Sequence, residues 1–426
     1  MHSPLHAVSL LIRPSLVLLA AAIIFGCSSD SDSPSGAGTV ITVTGKVIDE
    51  SSQPIPNTPV VITGHPATST DANGSFTVTG VTTPYDVTAI LSANKIAIIY
   101  KGLTRSDPVL YFTGASLLTP NSINISGTVS GGTGYPLPLN HTSRVFLVSP
   151  EVFRATSPNV ATGAYSTSAG WVGATTINAT LHALQWETSG GLPLTYKGYG
   201  TKTNVALTAG GTFANQDVAL TAATQSTVAG TVTLAAGLTL VSKAIALGFN
   251  NLGSTTLGSD GTSAVAFNFA VPNIAGATIV VTAQASGGAL GSSMTTLRTT
   301  PGASGVGITL NAPPQPSLPV NAATGITTAS QFSWTPLAGG IYILVLTGAG
   351  TEPDYYVVTT GTSAQIPDLA AQGLGLGASK SYSWQVYSLG PFGDMNAATG
   401  PNGLVSVLTL EGWRAISGSR TFTTAP

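Results

Sequence analysis

Few residues of this chain have a type and spacing that could carry out chemistry. Cys27 is its only cysteine, and its thiol directly follows an apolar run over residues 16–26. The rest of the chain after residue 26 holds three histidines and 16 scattered acidic residues, and it has no Gly-x-Ser-x-Gly, His-Glu-x-x-His or phosphate-binding glycine motif. The sequence therefore predicts a protein that is not an enzyme and that needs no cofactor or metal ion.

The segment before Cys27 has the order of a processed export signal. Arg13 precedes about ten apolar residues, and small Gly26 and apolar Ile24 stand one and three positions before the cysteine. This pattern resembles the lipobox of bacterial lipoproteins. The resemblance implies that a signal peptidase removes residues 1–26 and that a diacylglyceryl group on the Cys27 sulfur anchors the chain to a membrane. Two alternatives stay open, namely an ordinary secretory signal followed by a free thiol and an uncleaved membrane helix.

Residues 27–39 are rich in Ser, Asp and Gly, which predicts a flexible hydrophilic tether behind the anchor. In the lipoproteins that the segment resembles, a residue other than Asp after the cysteine favours outer-membrane sorting, and Ser28 fits. We therefore expect an outer-membrane or cell-surface location, provided that the source bacterium has two membranes. No run beyond residue 26 approaches the roughly 18 apolar residues of a membrane-spanning helix.

The composition excludes several classes of partner. Only 7% of the residues are charged, against about 25% in an average soluble protein. Loss of residues 1–26 would leave 13 basic against 16 acidic residues, a net charge of about −3. Nucleic acids and anionic lipid headgroups are poor partners for such a chain. The partners left are the membrane through the lipid anchor and, on the exposed side, a glycan or a surface protein.

Beyond the tether the chain repeats β-branched, alternating runs separated by glycine, which predicts an all-β fold of antiparallel strands. A Gly-x-Val motif recurs at Gly45, Gly127 and Gly230, at spacings typical of single β-sandwich domains. We divide the chain after the tether into four predicted sandwiches: module 1 (residues 40–118), module 2 (119–223), module 3 (224–312) and module 4 (313–426).

Module 1 carries the clearest motifs. Gly45-Lys-Val47 is followed by a proline-rich turn and then by Asp71-Ala-Asn-Gly74, where Asx side chains and a glycine with positive φ form a turn before Phe76. We favour this turn over a calcium site, because one Asx turn offers too few oxygens. The pattern resembles the carboxypeptidase regulatory-like domain, a transthyretin-like sandwich of about seven strands that performs no chemistry. Modules 2 and 3 carry fainter versions, with Thr162-Gly-Ala-Tyr165 in module 2 and Asp260-Gly261 followed by Ala266-Phe-Asn-Phe269 in module 3.

A stiff linker is predicted at residues 312–319, which are rich in proline. Module 4 beyond it resembles a fibronectin type III-like or related immunoglobulin-like module, in which aromatic residues such as Trp334 and Tyr382 pack between the sheets. Residues 389–417 are longer than that pattern needs and predict an elaborated loop.

Aromatic residues offer the best pointer to binding, because sugar-binding sandwiches use exposed flat rings. Trp171, Trp186 and Tyr199 are the candidate ligand-binding residues, with core packing as the competing interpretation. The leading hypothesis is a lipid-anchored stalk of tandem sandwiches with a binding, adhesion or structural role, and the alternative is a carbohydrate-binding lipoprotein. A hydrolase would need a cleft that unites His182, Glu187 and a serine. Ser92-Ala-Asn-Lys95 has the Ser-x-x-Lys spacing of penicillin-binding sites, but it lies within a predicted strand and lacks the companion motifs.

Overall fold

The computed structural model describes residues 38–49, 52–112, 120–401, 403–409 and 411–426. Cys27, the predicted signal peptide and nearly all of the predicted tether lie outside these residues. Of the described residues, 57% lie in strands and 5% in helices, which confirms the all-β class of tandem β-sandwich domains. No helix within the described ranges is long and apolar enough to cross a bilayer.

Module 1 forms a sandwich of two sheets whose inner faces are apolar. Its strands are β1 (Val40–Ile48), β2 (Pro59–Ile62), β3 (Thr68–Ser69), β4 (Ser75–Thr82), β5 (Tyr85–Leu91), β6 (Ile96–Leu103) and β7 (Val109–Tyr111). One sheet has the order β4-β1-β7 and the other continues β6-β5-β2-β3. Strand β1 alternates exposed and buried residues, as expected for a strand with one face on the core.

Module 2 has the same plan with longer strands. They are β8 (Asn121–Gly131), β9 (His141–Val148), β10 (Phe153–Thr156), β11 (Ala164–Trp171), β12 (Thr176–Ser189), β13 (Leu192–Thr208), β14 (Thr212–Phe213) and β15 (Val218–Leu220). The sheets have the orders β11-β8-β14, with β15 also on β8, and β10-β9-β12-β13.

Module 3 repeats the plan once more. Its strands are β16 (Gln225–Leu234), β17 (Thr239–Gly248), β18 (Ser254–Asp260), β19 (Ala266–Pro272), β20 (Thr278–Ser286), β21 (Ser292–Thr299) and β22 (Val306–Leu310). The orders are β19-β16-β22 and β18-β17-β20-β21. In all three modules the first strand therefore lies between the fourth strand, which is antiparallel to it, and the last strand, which is parallel to it.

The Gly-x-Val glycines lie where another part of the module approaches the first strand closely: the ring of Phe76 at Gly45, the ring of Phe267 at Gly230 and the Gln216 backbone at Gly127. The glycines pair across the sheet with aromatic residues: Gly45 with Phe76, Gly127 with Tyr165 and Gly230 with Phe267. A Cβ atom on Gly230 would lie 2.7 Å from Cζ of Phe267 and would also overlap the carbonyl group of Val306. Because any side chain would collide there, only glycine allows the ring and the parallel last strand to approach together.

The predicted turn before Phe76 is also present. The Asp71 carboxylate accepts hydrogen bonds of 2.8 Å from the backbone N–H groups of Asn73 and Ser75, and Gly74 has a φ of +68°. These bonds use the side-chain oxygen to close the turn, which confirms the Asx interpretation.

Module 4 has a different strand order. Its elements are β23 (Pro316–Leu318), β24 (Ala323–Ile326), β25 (Gln331–Trp334), β26 (Ile341–Gly348), β27 (Asp354–Thr359), β28 (Ser363–Gln365), β29 (Ser381–Gly390), α1 (Met395–Ala398), α2 (Gly403–Thr409), β30 (Gly412–Ile416) and β31 (Arg420–Thr424). The orders are β23-β25-β28 and β27-β26-β29-β31, with β24 beside β31. Trp334, Tyr382 and Trp384 are buried between the sheets, which confirms the core role predicted for Trp334 and Tyr382.

The modules do not form a stalk, contrary to the leading hypothesis. Strand β30 of module 4 pairs with β21 of module 3, and β27 of module 4 pairs in parallel with β6 of module 1. One 14-stranded sheet therefore runs through modules 3, 4 and 1. The chain from Thr39 to Pro426 is one compact unit. Main-chain hydrogen bonds between modules, which no side-chain pattern signals, produce this difference.

The predicted linker is part of this body. Pro313 and Pro314 are buried, and β23 pairs with β25. The side-chain amide of Gln315 donates to the carbonyl oxygen of Leu290 in module 3, at 3.1 Å. The prolines hold an extended segment against the protein and do not form a spacer in solvent.

The long connection in module 4, residues 391–411, is an insertion that docks on module 1. Met395, Ala398 and Leu404 are buried in the core of module 1. The side chain of Asn396 accepts hydrogen bonds from the backbone N–H groups of Thr104 and Arg105, both at 3.1 Å, and donates to the Thr104 hydroxyl at 2.7 Å. The elaborated loop of the prediction is thus a clamp between the first and last modules.

Candidate functional site

The two tryptophans proposed as ligand platforms are buried, which corrects that prediction. Trp171 ends β11 with 3% of its surface exposed, and its indole N–H donates to the carbonyl oxygen of Ala174 at 2.7 Å. Trp186 lies on β12 with 1% exposed, and its indole nitrogen has no hydrogen-bond partner among the described residues. Neither ring presents a face on which a sugar could stack.

Trp186 and its neighbours instead form the joint between modules 2 and 3. Trp186 and Tyr196 belong, with Phe146 and Leu184 of module 2, to a buried cluster whose other members are residues of module 3. The Tyr196 hydroxyl donates to the carbonyl oxygen of Ala270, and its backbone N–H donates to the Gln225 side chain. Both partners are in module 3, so these contacts fasten one sandwich to the next.

The same joint contains the third proposed residue, Tyr199. Its hydroxyl is 2.7 Å from Nδ1 of His182 on the neighbouring strand β12. The His182 ring stacks on Phe249 of module 3, with centroids 4.0 Å apart and planes 22° from parallel. His182 and Tyr199 are half-buried by these contacts. Tyr199 therefore serves the module interface through His182.

Burial controls the protonation of this pair. It lowers the pKa of His182 from 6.5 to about 4, because the charged imidazolium would lose its water. Burial likewise raises the pKa of Tyr199 to about 12. At neutral pH the joint therefore contains two uncharged rings that share a hydrogen bond, which suits a packed interface.

The hydrolase alternative finds no support in the geometry. Glu187 binds Lys197 at 2.8 Å and accepts from the Thr195 hydroxyl at 3.0 Å, while His182 is bound to Tyr199. The hydrogen bond from Lys197 is the largest cause of the lowered pKa of Glu187, and the hydrogen bond from Thr195 is the next. The acid is thus engaged in an ion pair, and the structure does not bring it to the histidine.

The Ser-x-x-Lys sequence lies in a connection, not in the strand that we expected. Ser92 begins a 3-10 turn, Ser92–Asn94, between β5 and β6. The Lys95 ammonium group donates to the carbonyl oxygen of Thr351 in module 4 at 2.9 Å. Across the described part of the chain, no three His, Cys, Asp or Glu residues form a group that could hold a metal ion.

A cleft of about 620 Å³ lies where modules 1, 2 and 3 meet the insertion. Gln53, Glu151, Trp171, Leu252 and Val405 contribute to its walls. Glu151 is the one ionisable residue among its described lining residues, and its carboxylate accepts from the Ser149 hydroxyl at 2.8 Å. A single carboxylate without a second acid or base lacks the pair of groups needed for acid–base catalysis.

The sequence analysis missed one buried ion pair and one interface residue. Lys243 is fully buried on β17 and binds the Asp260 carboxylate at 2.8 Å, and it donates to the carbonyl oxygens of Thr262 and Ala264. The hydrogen bond from Lys243 lowers the pKa of Asp260 to about 2. The sequence feature that could have indicated the ion pair was Lys243 itself, a charged residue inside an otherwise largely apolar strand pattern. The feature that could have indicated the interface role of Phe249 was its position at the end of a strand, directly before the turn residues Asn250 and Asn251.

Comparisons with known proteins give no family. No family model matches the chain, and no curated protein matches it. Among solved structures, a Bacillus anthracis TIE protein is 8% identical over 64% of this chain and 50% of its own, with a TM-score of 0.15. This chain therefore spans half of that protein. A leucine-rich repeat protein from Bacteroides thetaiotaomicron is 10% identical over 46% of this chain and 27% of its own, with a TM-score of 0.16.

A tetra-tandem repeat from the extending region of a large adhesion protein is 12% identical over 91% of this chain and 99% of its own, again with a TM-score of 0.16. At these TM-scores the likenesses establish no function for this chain. In its own geometry, His182 and Lys95 make contacts between modules, and Glu187 makes contacts within module 2.

Proposed function

We propose that this chain is a lipid-anchored protein of the bacterial cell envelope, at the outer membrane or cell surface, with a non-catalytic adhesion, binding or structural role. The observation that carries the proposal is the use of its candidate reactive groups as structural contacts. His182 packs in a module joint, Glu187 is held by Lys197, and Lys95 bridges modules 1 and 4. The lipid anchor at Cys27 rests on the sequence pattern before it.

Strand order supports the proposed relation to non-catalytic modules. Modules 1 to 3 share one strand plan, with seven strands in modules 1 and 3 and the additional short strand β14 in module 2, as copies of a carboxypeptidase regulatory-like sandwich would. Module 4 has three strands on one sheet, and its other sheet has the order β27-β26-β29-β31, an arrangement that suits a fibronectin type III-like module. Modules of both kinds serve as scaffolds, which agrees with a structural role.

The mechanism that we propose is the display of one rigid body on a tether. Strand pairing joins module 3 to module 4 and module 4 to module 1, and module 2 is held to module 3 by the aromatic joint. Interfaces of continuous sheet and shared apolar core resist bending more than flexible linkers do. Such a body keeps its outer surfaces in fixed relative positions above the membrane.

The anchor is tested by comparing the full chain with a Cys27→Ser variant in a bacterial host. The proposal predicts that the parent partitions into detergent with its membrane fraction and that mass spectrometry finds a lipid on Cys27. The variant should leave the membrane fraction. An unmodified thiol in the mature parent, or equal membrane partition of both proteins, would contradict the anchor.

The rigid body is tested separately by small-angle X-ray scattering of the mature Cys27→Ser chain. A compact body of this length has a radius of gyration of about 22 Å, and an extended stalk of four modules gives roughly twice that. A value near the larger figure would reject the display of a single body while leaving the anchor untouched.

The carbohydrate alternative loses the residues on which it depended. Trp171 and Trp186 are buried, and Tyr199 is engaged by His182. We therefore do not retain those three residues as a glycan platform.

A further inference from the structure

A second pocket, with a volume of about 570 Å³, has no role in the proposals above. It lies where strand β21 of module 3 meets strand β30 and the insertion of module 4. The pairing of these two strands ends at Thr296 and Gly412, and both residues line the pocket. Other described residues in its walls are Leu297, Arg298, Phe392, Glu411 and Trp413. We call it the Trp413 pocket.

Trp413 differs from the other four tryptophans of the chain in its indole N–H group. The indole N–H of Trp171 is bound to the protein, and the indole nitrogens of Trp186, Trp334 and Trp384 are buried. Trp413 is half-buried, and its indole nitrogen is neither buried nor hydrogen-bonded to any described residue. This N–H group is therefore free to donate to a ligand in the pocket.

The ring of Trp413 is held in place by two glycines. The six-membered ring lies over Gly390, the partner of Trp413 on strand β29, and over Gly340, which precedes strand β26. A Cβ atom on either glycine would overlap the ring. The ring therefore rests on main chain and has its position before a ligand arrives, which lowers the entropy cost of binding.

The two charged residues in the described walls of the pocket have opposite signs. Arg298 is engaged with the protein, because its guanidinium group donates to the Asn251 side chain at 2.8 Å and to the carbonyl oxygen of Asn250 at 3.0 Å. Glu411 is exposed, and its carboxylate takes part in none of the ion pairs between described residues. An anion would be repelled by Glu411 and a cation by Arg298, so the pocket favours a neutral ligand.

The free carboxylate also argues against a wholly apolar ligand. Such a ligand would remove water from Glu411 and offer no hydrogen bond in return. A ligand with several hydroxyl groups can donate to the carboxylate and accept from the indole N–H. A hexopyranose meets both conditions, and it also has an apolar C–H face that can pack on an aromatic ring. The volume of the pocket lies in the range of about 300–1,000 Å³ that is typical of small-ligand sites.

From these observations we infer that the Trp413 pocket binds a neutral hexopyranose unit of a glycan. The C–H face of the sugar packs on the ring of Trp413. The Glu411 carboxylate accepts from sugar hydroxyl groups, and the indole N–H donates to a sugar oxygen. The inference rests on the binding role in the proposed function and names its ligand class, but it does not involve the lipid anchor.

The test observes the indole N–H groups by NMR in the ¹⁵N-labelled mature Cys27→Ser chain. The signal of Trp413 is identified by its loss in Trp413→Phe. The probes are methyl glucoside, methyl galactoside and methyl mannoside. We expect at least one of them to shift the Trp413 signal until it saturates, with a dissociation constant on the order of 1 mM for a ligand of so few atoms. The signals of Trp334 and Trp384, which are buried in the core of module 4, should not move.

Substitutions then test the assigned contacts. Glu411→Gln removes the charge of an exposed side chain. It should weaken binding of the same glycoside by about tenfold, because hydrogen bonds to a charged acceptor are the stronger ones. Glu151→Gln, which changes a carboxylate in the cleft of modules 1, 2 and 3, is the matched control and should leave the dissociation constant unchanged. Saturation-transfer NMR of the glycoside should lose most of its signal in Trp413→Ala, and circular dichroism checks that each variant folds.

The inference is overturned if none of the three glycosides shifts the Trp413 signal, or if Glu411→Gln binds as tightly as the parent. It is also overturned if the signal responds to choline, acetate or 1-octanol but to no glycoside, since the pocket would then be an ion or apolar site. The anchor is untouched by any of these results, because the chain that is tested carries no lipid.

Discussion

Lowering the pH from 7 to 5 should weaken the joint between modules 2 and 3, because His182 resists protonation in the folded protein. Burial against Phe249 and Tyr199 holds its pKa near 4, compared with 6.5 for a histidine in water. As the pH falls below 6.5, the unfolded chain takes up this proton first. The free energy of unfolding therefore falls through the window from pH 6.5 to pH 4.

The two pKa values set the size of the effect. Linkage predicts a loss of up to about 2 kcal/mol between pH 7 and pH 5, and up to about 3 kcal/mol by pH 4. Two carboxylates with lowered pKa values, those of Asp260 and Glu187, also lower the free energy of unfolding as the pH falls, but only at lower pH. The contribution of Asp260 starts to be lost below 3.8, and that of Glu187 below about 4.5. Measurements at pH 5 and above therefore separate the histidine from the acids.

The assay is urea unfolding of the mature Cys27→Ser chain at pH 7, 6 and 5, followed by tryptophan fluorescence. Trp186 in the joint provides a local signal. The comparison is His182→Gln, which keeps a polar group near Tyr199 but cannot take up a proton. It should flatten the pH dependence between 7 and 5. His65→Gln, a change in a turn of module 1, is the matched control. Parallel profiles for the parent and His182→Gln would refute the reasoning.

Three further changes test other parts of the architecture. Gly230→Ala should lower the free energy of unfolding by about 1–3 kcal/mol through overlap with the crossing ring and the last strand, whereas Gly261→Ala, at an open position, should have little effect in the same urea titration. Asn396→Ala removes three hydrogen bonds of the clamp. The change should speed hydrogen exchange at the backbone amides of Thr104 and Arg105, to which Asn396 is bound. Unchanged exchange would show that these bonds do not hold the insertion on module 1. Lys243→Ala leaves Asp260 without its buried partner and should cost about 3–5 kcal/mol, and the double change Lys243→Met with Asp260→Asn should recover part of this. Equal stability of the single and double variants would contradict the ion-pair account.

Local pattern was enough to predict the strands and the turn chemistry. Alternating β-branched residues identify strands because one face of each strand must be buried. Asp71 and Gly74 identify a turn because its hydrogen bonds form between residues only a few positions apart. The Gly-x-Val repeat led to three related sandwiches. The partner aromatics Phe76 and Tyr165 were also visible in the sequence, whereas module 3 offered both Phe267 and Phe269, and the strand register pairs Gly230 with Phe267.

The candidate site could not be predicted in the same way. A tryptophan on an alternating strand looks the same whether its inner face meets its own module, another module or a ligand. Trp186 and Tyr196 are covered by residues of module 3, and the stacking partner of His182 is 67 residues away at Phe249. The role of these rings depends on which surfaces of modules 2 and 3 meet, and the sequence around each ring does not indicate this.

The sequence by itself determined the all-β class, the repeated sandwich plan and the scarcity of reactive groups, because composition, periodicity of two and turn residues act over a few positions. Only the tertiary structure decided that modules 3, 4 and 1 share one sheet and that module 2 is fastened by buried rings. Pairing at strand edges uses main-chain groups that every residue possesses, so it leaves little trace in side-chain order.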